Sequence, residues 1–403
     1  MSRRWRIHIL LAAALAFALK LYLALTTGGT LDVQGFADHL AKIEQLGGVG
    51  AYHALGAFNN PFNSPPFIIH ALKALGWLTA ATGLPFAFWL RLPCALADVG
   101  SLFVVWKLSE RSGARRETAW TLLLLALSPV SIIISGFHGN TDPVMVFFVL
   151  LSVYLLEARE ERFWLAALAF GMALNIKVAP LVYAPALWFY LPRLRRRVWF
   201  FAVAAIVFLV GSLPYILLDP VVIARRVFGY GSIYGAWGWT YLAATWFPHS
   251  LQFTHAPHDV TGAHAVAASI GKWLMLGLLV ANAAWINRRA DRPPLHLQLG
   301  LATSLFLFLT PGFGSQYLAW LVPFVVFLGV GATLMYNLVG GLFLFVSYSC
   351  WIYRAAPPVY CVEPLMSALP LVCWAMVFVL LTLYASRVTR VPVHRYNGAH
   401  ETD

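Results

Sequence analysis

Long apolar runs separated by short polar stretches make up most of the chain. At roughly 20 residues apiece, the length an α-helix needs to cross a bilayer core, they predict spans at about 8–27, 87–107, 119–136, 142–157, 163–176, 178–192, 198–217, 264–286, 296–310, 316–331, 333–353 and 367–386. None of the runs alternates as barrel strands do, and lipid leaves a spanning backbone only helices or closed barrels. The expected fold class is all-α: a polytopic membrane protein of about 12 transmembrane helices in a single integral-membrane domain, 1–403, with no separate soluble domain and both termini on one side. Two stretches, 28–86 and 219–262, interrupt the rhythm and are expected to be large external loops. Within the first, Pro66 to Trp77 is apolar but short and carries His70 and Lys73, which predicts a helix lying at the interface. Arg3, Arg4 and Arg6 ahead of an apolar start resemble a signal peptide, but the run is long and Lys20 interrupts it, so it is expected to be a retained first span.

Composition agrees with this pattern. At 60% hydrophobic and 11% charged residues, with a mean hydropathy of +0.73, the chain is excluded from the water-soluble class. A net charge of +12 would suit nucleic acid if it were clustered, but most Lys and Arg fall at the amino terminus, at 107–116, 159–162, 193–197 and 288–292, and in the tail. That distribution is the positive-inside pattern, so no nucleic-acid partner is expected, and the opposite ends of the helices face the exterior. The four cysteines, Cys94, Cys350, Cys361 and Cys373, have no metal-ligand spacing and sit mostly in or beside apolar runs; they are expected to form neither a metal cluster nor an essential disulfide.

The external side collects the unusual chemistry. Asp32 follows the first span directly, and an acid at that depth is a functional candidate by default. Ser135-Gly-Phe-His138-Gly-Asn140-Thr-Asp142-Pro143 forms an external turn whose His, Asn and Asp could hold a hydroxyl; Asp142 before Pro143 is also a good helix start, and both roles can coexist. Lys177 stands alone between two spans with no acid near it in sequence, and either a lipid-linked phosphate or snorkelling to the interface would satisfy it. Gln316 and Tyr317 head a span, with Trp320 on the same helical face as Tyr317. Arg91, Arg225, Arg226 and Arg354 are further cations able to fork onto a phosphate, and nothing local chooses among them. The aromatics of the second loop suit either sugar stacking or a membrane-interface belt.

Taken in order, the Asp-bearing loop, Asn-Pro-Phe-Asn-Ser-Pro65-Pro66, Ser128-Pro129 leading to Phe137-His-Gly-Asn-Thr-Asp142, Asn-Ile-Lys177-x-x-Pro180 and Ser-Gln316-Tyr317-Leu-Ala-Trp320-Leu-x-Pro323 resemble the GT-C superfamily of integral-membrane glycosyltransferases. The likeness is greatest to bacterial members that use polyprenyl-phosphate mannose. The resemblance implies a GT-C-like fold in a bacterial inner membrane. It further implies transfer of a hexose such as mannose from a polyprenyl-phosphate donor to a lipid or glycan acceptor on the periplasmic or exterior face, with inversion and with no metal or other cofactor. Asp32 would then be the base. His138, Asn140, Asp142, Gln316 and Tyr317 would contact the acceptor, while Lys177, with Arg91, Arg225, Arg226 or Arg354, would hold the donor phosphate. The string His138-Gly-Asn-Thr-Asp142 departs from the Gly-Gln-x-Asp often found in such enzymes. A lipid-linked saccharide flippase is the alternative, disfavoured because no internal repeat is found and the polar residues gather at one face instead of the midplane.

Overall fold

The computed structural model describes residues 1–55, 61–110, 115–158, 160–229, 232–246, 262–289, 291–352, 361 and 363–390. In chain order its helices are α1 (Arg3–Thr26), α2 (Leu31–His53), α3 (Phe67–Thr82), α4 (Phe86–Ser109), α5 (Arg115–Ala126) and α6 (Pro129–Ile133), the last continued by a π-turn, Ile134–His138. There follow α7 (Asp142–Ala158), α8 (Phe163–Ile176), α9 (Ala184–Tyr190), α10 (Leu194–Leu218), α11 (Pro220–Phe228), α12 (Gly238–Trp246), α13 (Gly262–Asn287), α14 (Leu295–Leu309), α15 (Leu318–Val325), α16 (Val330–Ser347) and α17 (Glu363–Thr389). The expected all-α polytopic membrane architecture is what forms.

Among the described residues, seven of the predicted spans are helices long and apolar enough to cross a membrane: Arg3–Thr26, Phe86–Ser109, Glu117–His138, Leu194–Leu218, His264–Asn287, Val330–Cys350 and Leu365–Thr389. Three more of the predicted runs are single but shorter helices, α7 with 17 residues, α14 with 15 and α8 with 14, while 178–192 and 316–331 are broken into short α and 3₁₀ pieces. At 1.5 Å per residue the three single helices reach about 21–26 Å, less than the roughly 30 Å hydrocarbon core. Their placement explains the difference. α7 packs between α4 and α8, and α14 packs against α13, α15 and α17, so both bury most of their side chains. Long α1, α10 and α13 instead leave Leu11, Leu15, Val210, Leu217 and Trp273 exposed, as lipid-facing helices do. An inner helix can end early because its loop is covered by protein instead of lipid.

Within the stretch 28–86, Pro65 and Pro66 start α3 and Gly83, in the left-handed conformation (φ 71°), stops it. Ile68, Ile69 and Leu72 are buried, whereas His70, Lys73 and Trp77 are exposed, so the helix has one covered face and one open face. The only strands among the described residues, β1 (Ile233–Tyr234) and β2 (Gly312–Phe313), pair antiparallel and fasten the second loop to the turn before α15. Trp237 stacks on Phe313 at 4.0 Å and gives its indole N–H to the Leu307 carbonyl at 2.7 Å. Fully buried, it is no sugar platform.

The expectation about cysteines needs correction. Cys94 and Cys373 are free and buried, but Cys350 and Cys361 form a disulfide with Cα atoms 5.6 Å apart. Apolar surroundings made all four resemble packing residues, and a spacing of 11 does not show that the chain returns on itself.

Candidate active site

The site begins where α1 ends. Thr30 caps α2 by accepting the Asp32 N–H at 3.3 Å, and its hydroxyl donates to the His138 carbonyl at 2.8 Å. The chain before it must pass very close to its neighbours. A Cβ on Gly29 (φ 75°) would lie 2.6 Å from Val33 Cγ2 and 2.8 Å from the Phe137 carbonyl oxygen, and one on Gly139 (φ 81°) only 2.3 Å from the same Val33 methyl. Both positions therefore require glycine, for backbone conformation as well as for space.

The π-turn Ile134–His138 delivers His138, whose Nε2 lies 3.1 Å from Asp32 Oδ2, while Asn140 Nδ2 donates to the same oxygen at 2.6 Å. His138 Nδ1 lies 3.2 Å from the Thr30 hydroxyl. Oδ1 of Asp32 has no partner among the described residues, and 34% of the side chain is open. Burial works to raise the Asp32 pKa, but the charge and hydrogen bond of His138, the Asn140 amide and the Lys177 charge outweigh it and hold the carboxyl at about 2.

Two residues further on stands a second carboxylate. Asp142, the first residue of α7, is fully buried; Lys177 donates to its Oδ2 at 2.8 Å and Trp320 Nε1 to its Oδ1. The lysine that had no acid near it in sequence therefore has one 35 positions upstream. Its ammonium also lies 5.5 Å from the centre of the Tyr317 ring, and Tyr317 and Trp320 are 4.7 Å apart, on one face as their spacing predicts.

The remaining expected residues are distributed differently. Arg91 is fully buried beneath the Asp32 turn, where its guanidinium donates to the Leu23, Thr27 and Gly136 carbonyls and to the Thr27 hydroxyl at 2.8–3.1 Å. It ties the end of α1 to the π-turn, a role different from the expected phosphate clamp. Arg226 donates to the Tyr52 carbonyl, at the end of α2 opposite Asp32, and Arg225 beside it is exposed. Arg354 lies outside the described residues. Gln316 is half-buried, its amide folded back against Gly314, and makes no hydrogen bond to either carboxylate among the described residues. Thr30 and Tyr348 were not anticipated; the Tyr348 ring stacks on His138, centroids 5.2 Å apart and planes 13° from parallel. A lone tyrosine at the end of an apolar run carries no signal of such a role, whereas Thr30, two residues before Asp32, could have been found as a helix cap.

Two carboxylates, a lysine and an amide thus converge at one end of a helical membrane bundle. Comparison with known proteins shows what the chain is similar to. The family model described as Mannosyltransferase (PIG-M) matches residues 134–266, and that of the alpha-(1->6)-mannopyranosyltransferase N-terminal domain matches residues 60–193. Their overlap contains the 138–142 turn and Lys177, while Asp32 lies outside both. GPI mannosyltransferase 1 of Eremothecium gossypii is 25% identical over 248 residues, 57% of each chain, so the chain spans little more than half that relative's length. These matches bear out the resemblance to GT-C-type integral-membrane mannosyltransferases.

Proposed function

We propose that the protein transfers a mannosyl unit from a polyprenyl-phosphate donor to an acceptor hydroxyl at the external face of a bacterial inner membrane, with inversion. In this reaction the acceptor oxygen attacks the anomeric carbon as the bond from that carbon to the phosphate oxygen breaks. The hydroxyl proton passes to Asp32 Oδ1, and the electron pair leaves with the lipid phosphate. His138 and Asn140 fix the carboxylate through Oδ2, which leaves Oδ1 to meet the acceptor. Lys177, oriented by Asp142, faces the charge that develops on the leaving phosphate.

The observation that carries this reading is the asymmetry of Asp32, one oxygen held by two side chains and the other open, in a carboxylate kept ionised. The Cys350–Cys361 bridge supports the external orientation, because disulfides persist in oxidising compartments and Cys350 is two residues from Tyr348, which packs on His138. The test is transfer from synthetic polyprenyl-phosphate mannose to a membrane lipid extract by purified protein, with products read by mass spectrometry. Asp32→Asn is expected to slow product formation about 10²–10⁴-fold while the protein stays folded. Full transfer by that variant would remove the base, and no consumption of donor by the folded parent would remove the activity.

A further inference from the structure

Two π-turns meet at the site. One, Ile134–His138, ends in His138; the other, Tyr348–Ile352, continues α16 and begins with Tyr348. π-turns are rare and recur at functional sites because the extra residue re-aims a side chain. Here they bring the two rings face to face, 5.2 Å apart and 13° from parallel. Tyr348 is 5% exposed, so it offers substrate almost no surface, and its hydroxyl is 3.0 Å from Ser315 Oγ. Ser315 opens the short turn that carries Tyr317, whose ring faces Lys177. Tyr348 thus touches the histidine of one carboxylate cluster and the turn that serves the other.

An imidazole with one nitrogen at a hydroxyl and the other at a carboxylate can still swing about its Cβ–Cγ bond. Thr30 and Asp32 select which nitrogen points where. The flat face of Tyr348 fixes the plane. What fixes Tyr348 is its own short turn, and the disulfide from Cys350, two residues on, anchors that turn to Cys361 just before α17.

We propose that Tyr348 is a positioning residue that holds the His138 ring against Asp32, and that the Cys350–Cys361 bridge keeps Tyr348 in place. The inference rests on the reading of Asp32 as the base, so Asp32→Asn is measured alongside. Tyr348→Phe, which keeps the stack, is expected to stay within about twofold of the parent in kcat. Tyr348→Leu is expected to lose about 10²-fold in kcat, the size of effect a misplaced catalytic group produces, with little change in donor KM. Cys350→Ser/Cys361→Ser should fall in the same direction.

The readout that a merely structural role would not move is the acid limb of kcat/KM. Without a fixed His138, Asp32 titrates nearer the ordinary carboxylate value of about 3.9. Tyr348→Leu should therefore lose about half its kcat/KM near pH 4, reversibly on return to pH 7, where the parent is unchanged. Parental kcat and pH profile in Tyr348→Leu would overturn the positioning role, as would a Tyr348→Phe variant as impaired as Tyr348→Leu. Parental behaviour of the double serine variant would overturn the part given to the bridge. If Tyr348→Leu fails to fold, Tyr348→Met is measured in its place, with the same losses expected and the same parental outcome overturning the role. Should Asp32→Asn remain active while these effects appear, the base reading fails and the contact of Tyr348 with His138 stands by itself.

Discussion

Asp32 and Asp142 are both aspartates near the start of a helix, within one small region, yet their surroundings divide them. Asp142 is fully buried and both its oxygens are engaged, one by Lys177 and one by the Trp320 indole. Asp32 has a third of its side chain open and only Oδ2 engaged. A carboxylate whose acceptor sites are filled by fixed donors orients a cation; one with a free oxygen can take a proton. The pair shows that residue type does not assign a role, whereas the number of partners left to find does.

Substitutions can separate the two. The largest effect is expected from Asp32→Asn, with turnover falling about 10²–10⁴-fold, the range general-base removal produces, in a protein that still folds. A turnover loss below tenfold would equalise the two acids. Asp142→Ala should show the reverse emphasis: leaving Lys177 without its buried counter-charge costs about 3–5 kcal/mol of stability, read as a lower midpoint in a thermal or denaturant melt. Stability equal to the parent would mean that Lys177 finds another anion.

The effect of pH comes next. The folded Asp32 carboxyl titrates at about 2, below its ordinary value of 3.8. Its ionised form therefore adds stability above about pH 3.8, and this is lost as the pH falls through about 2. Activity governed by Asp32 should accordingly be level from pH 7 down to about 4 in the parent; an acid limb near pH 6 would assign the controlling group elsewhere. The smallest effect is expected from Arg225→Ala, on the exposed side of α11, which should change kcat and donor KM by less than about twofold, surface substitutions being nearly neutral. A tenfold rise in donor KM would return that arginine to the phosphate.

What was legible in the sequence follows the cost of placing each group near a membrane. Asp32, His138, Asp142 and Lys177 are conspicuous because a charge or imidazole at a span end needs a reason, and the structure brings all four together. The partner of Lys177 was not legible, since the ion pair closes across 35 residues. The hydrogen bonds of Arg91 were not legible for a related reason: they include backbone carbonyls, which every residue possesses and no composition reveals. Helix positions came through well, because a 20-residue apolar run has few other readings. Helix lengths did not, because α7 and α14 are apolar from contact with protein instead of lipid, and hydropathy does not distinguish the two surroundings.

The π-turn that ends in His138 also sets a rule for chain length. It accommodates one residue more than an α-helical turn in the same space. Deleting any single residue from 134 to 137 would restore ordinary winding and rotate the imidazole by about 100° around the axis, away from Asp32. What the segment cannot change is its count.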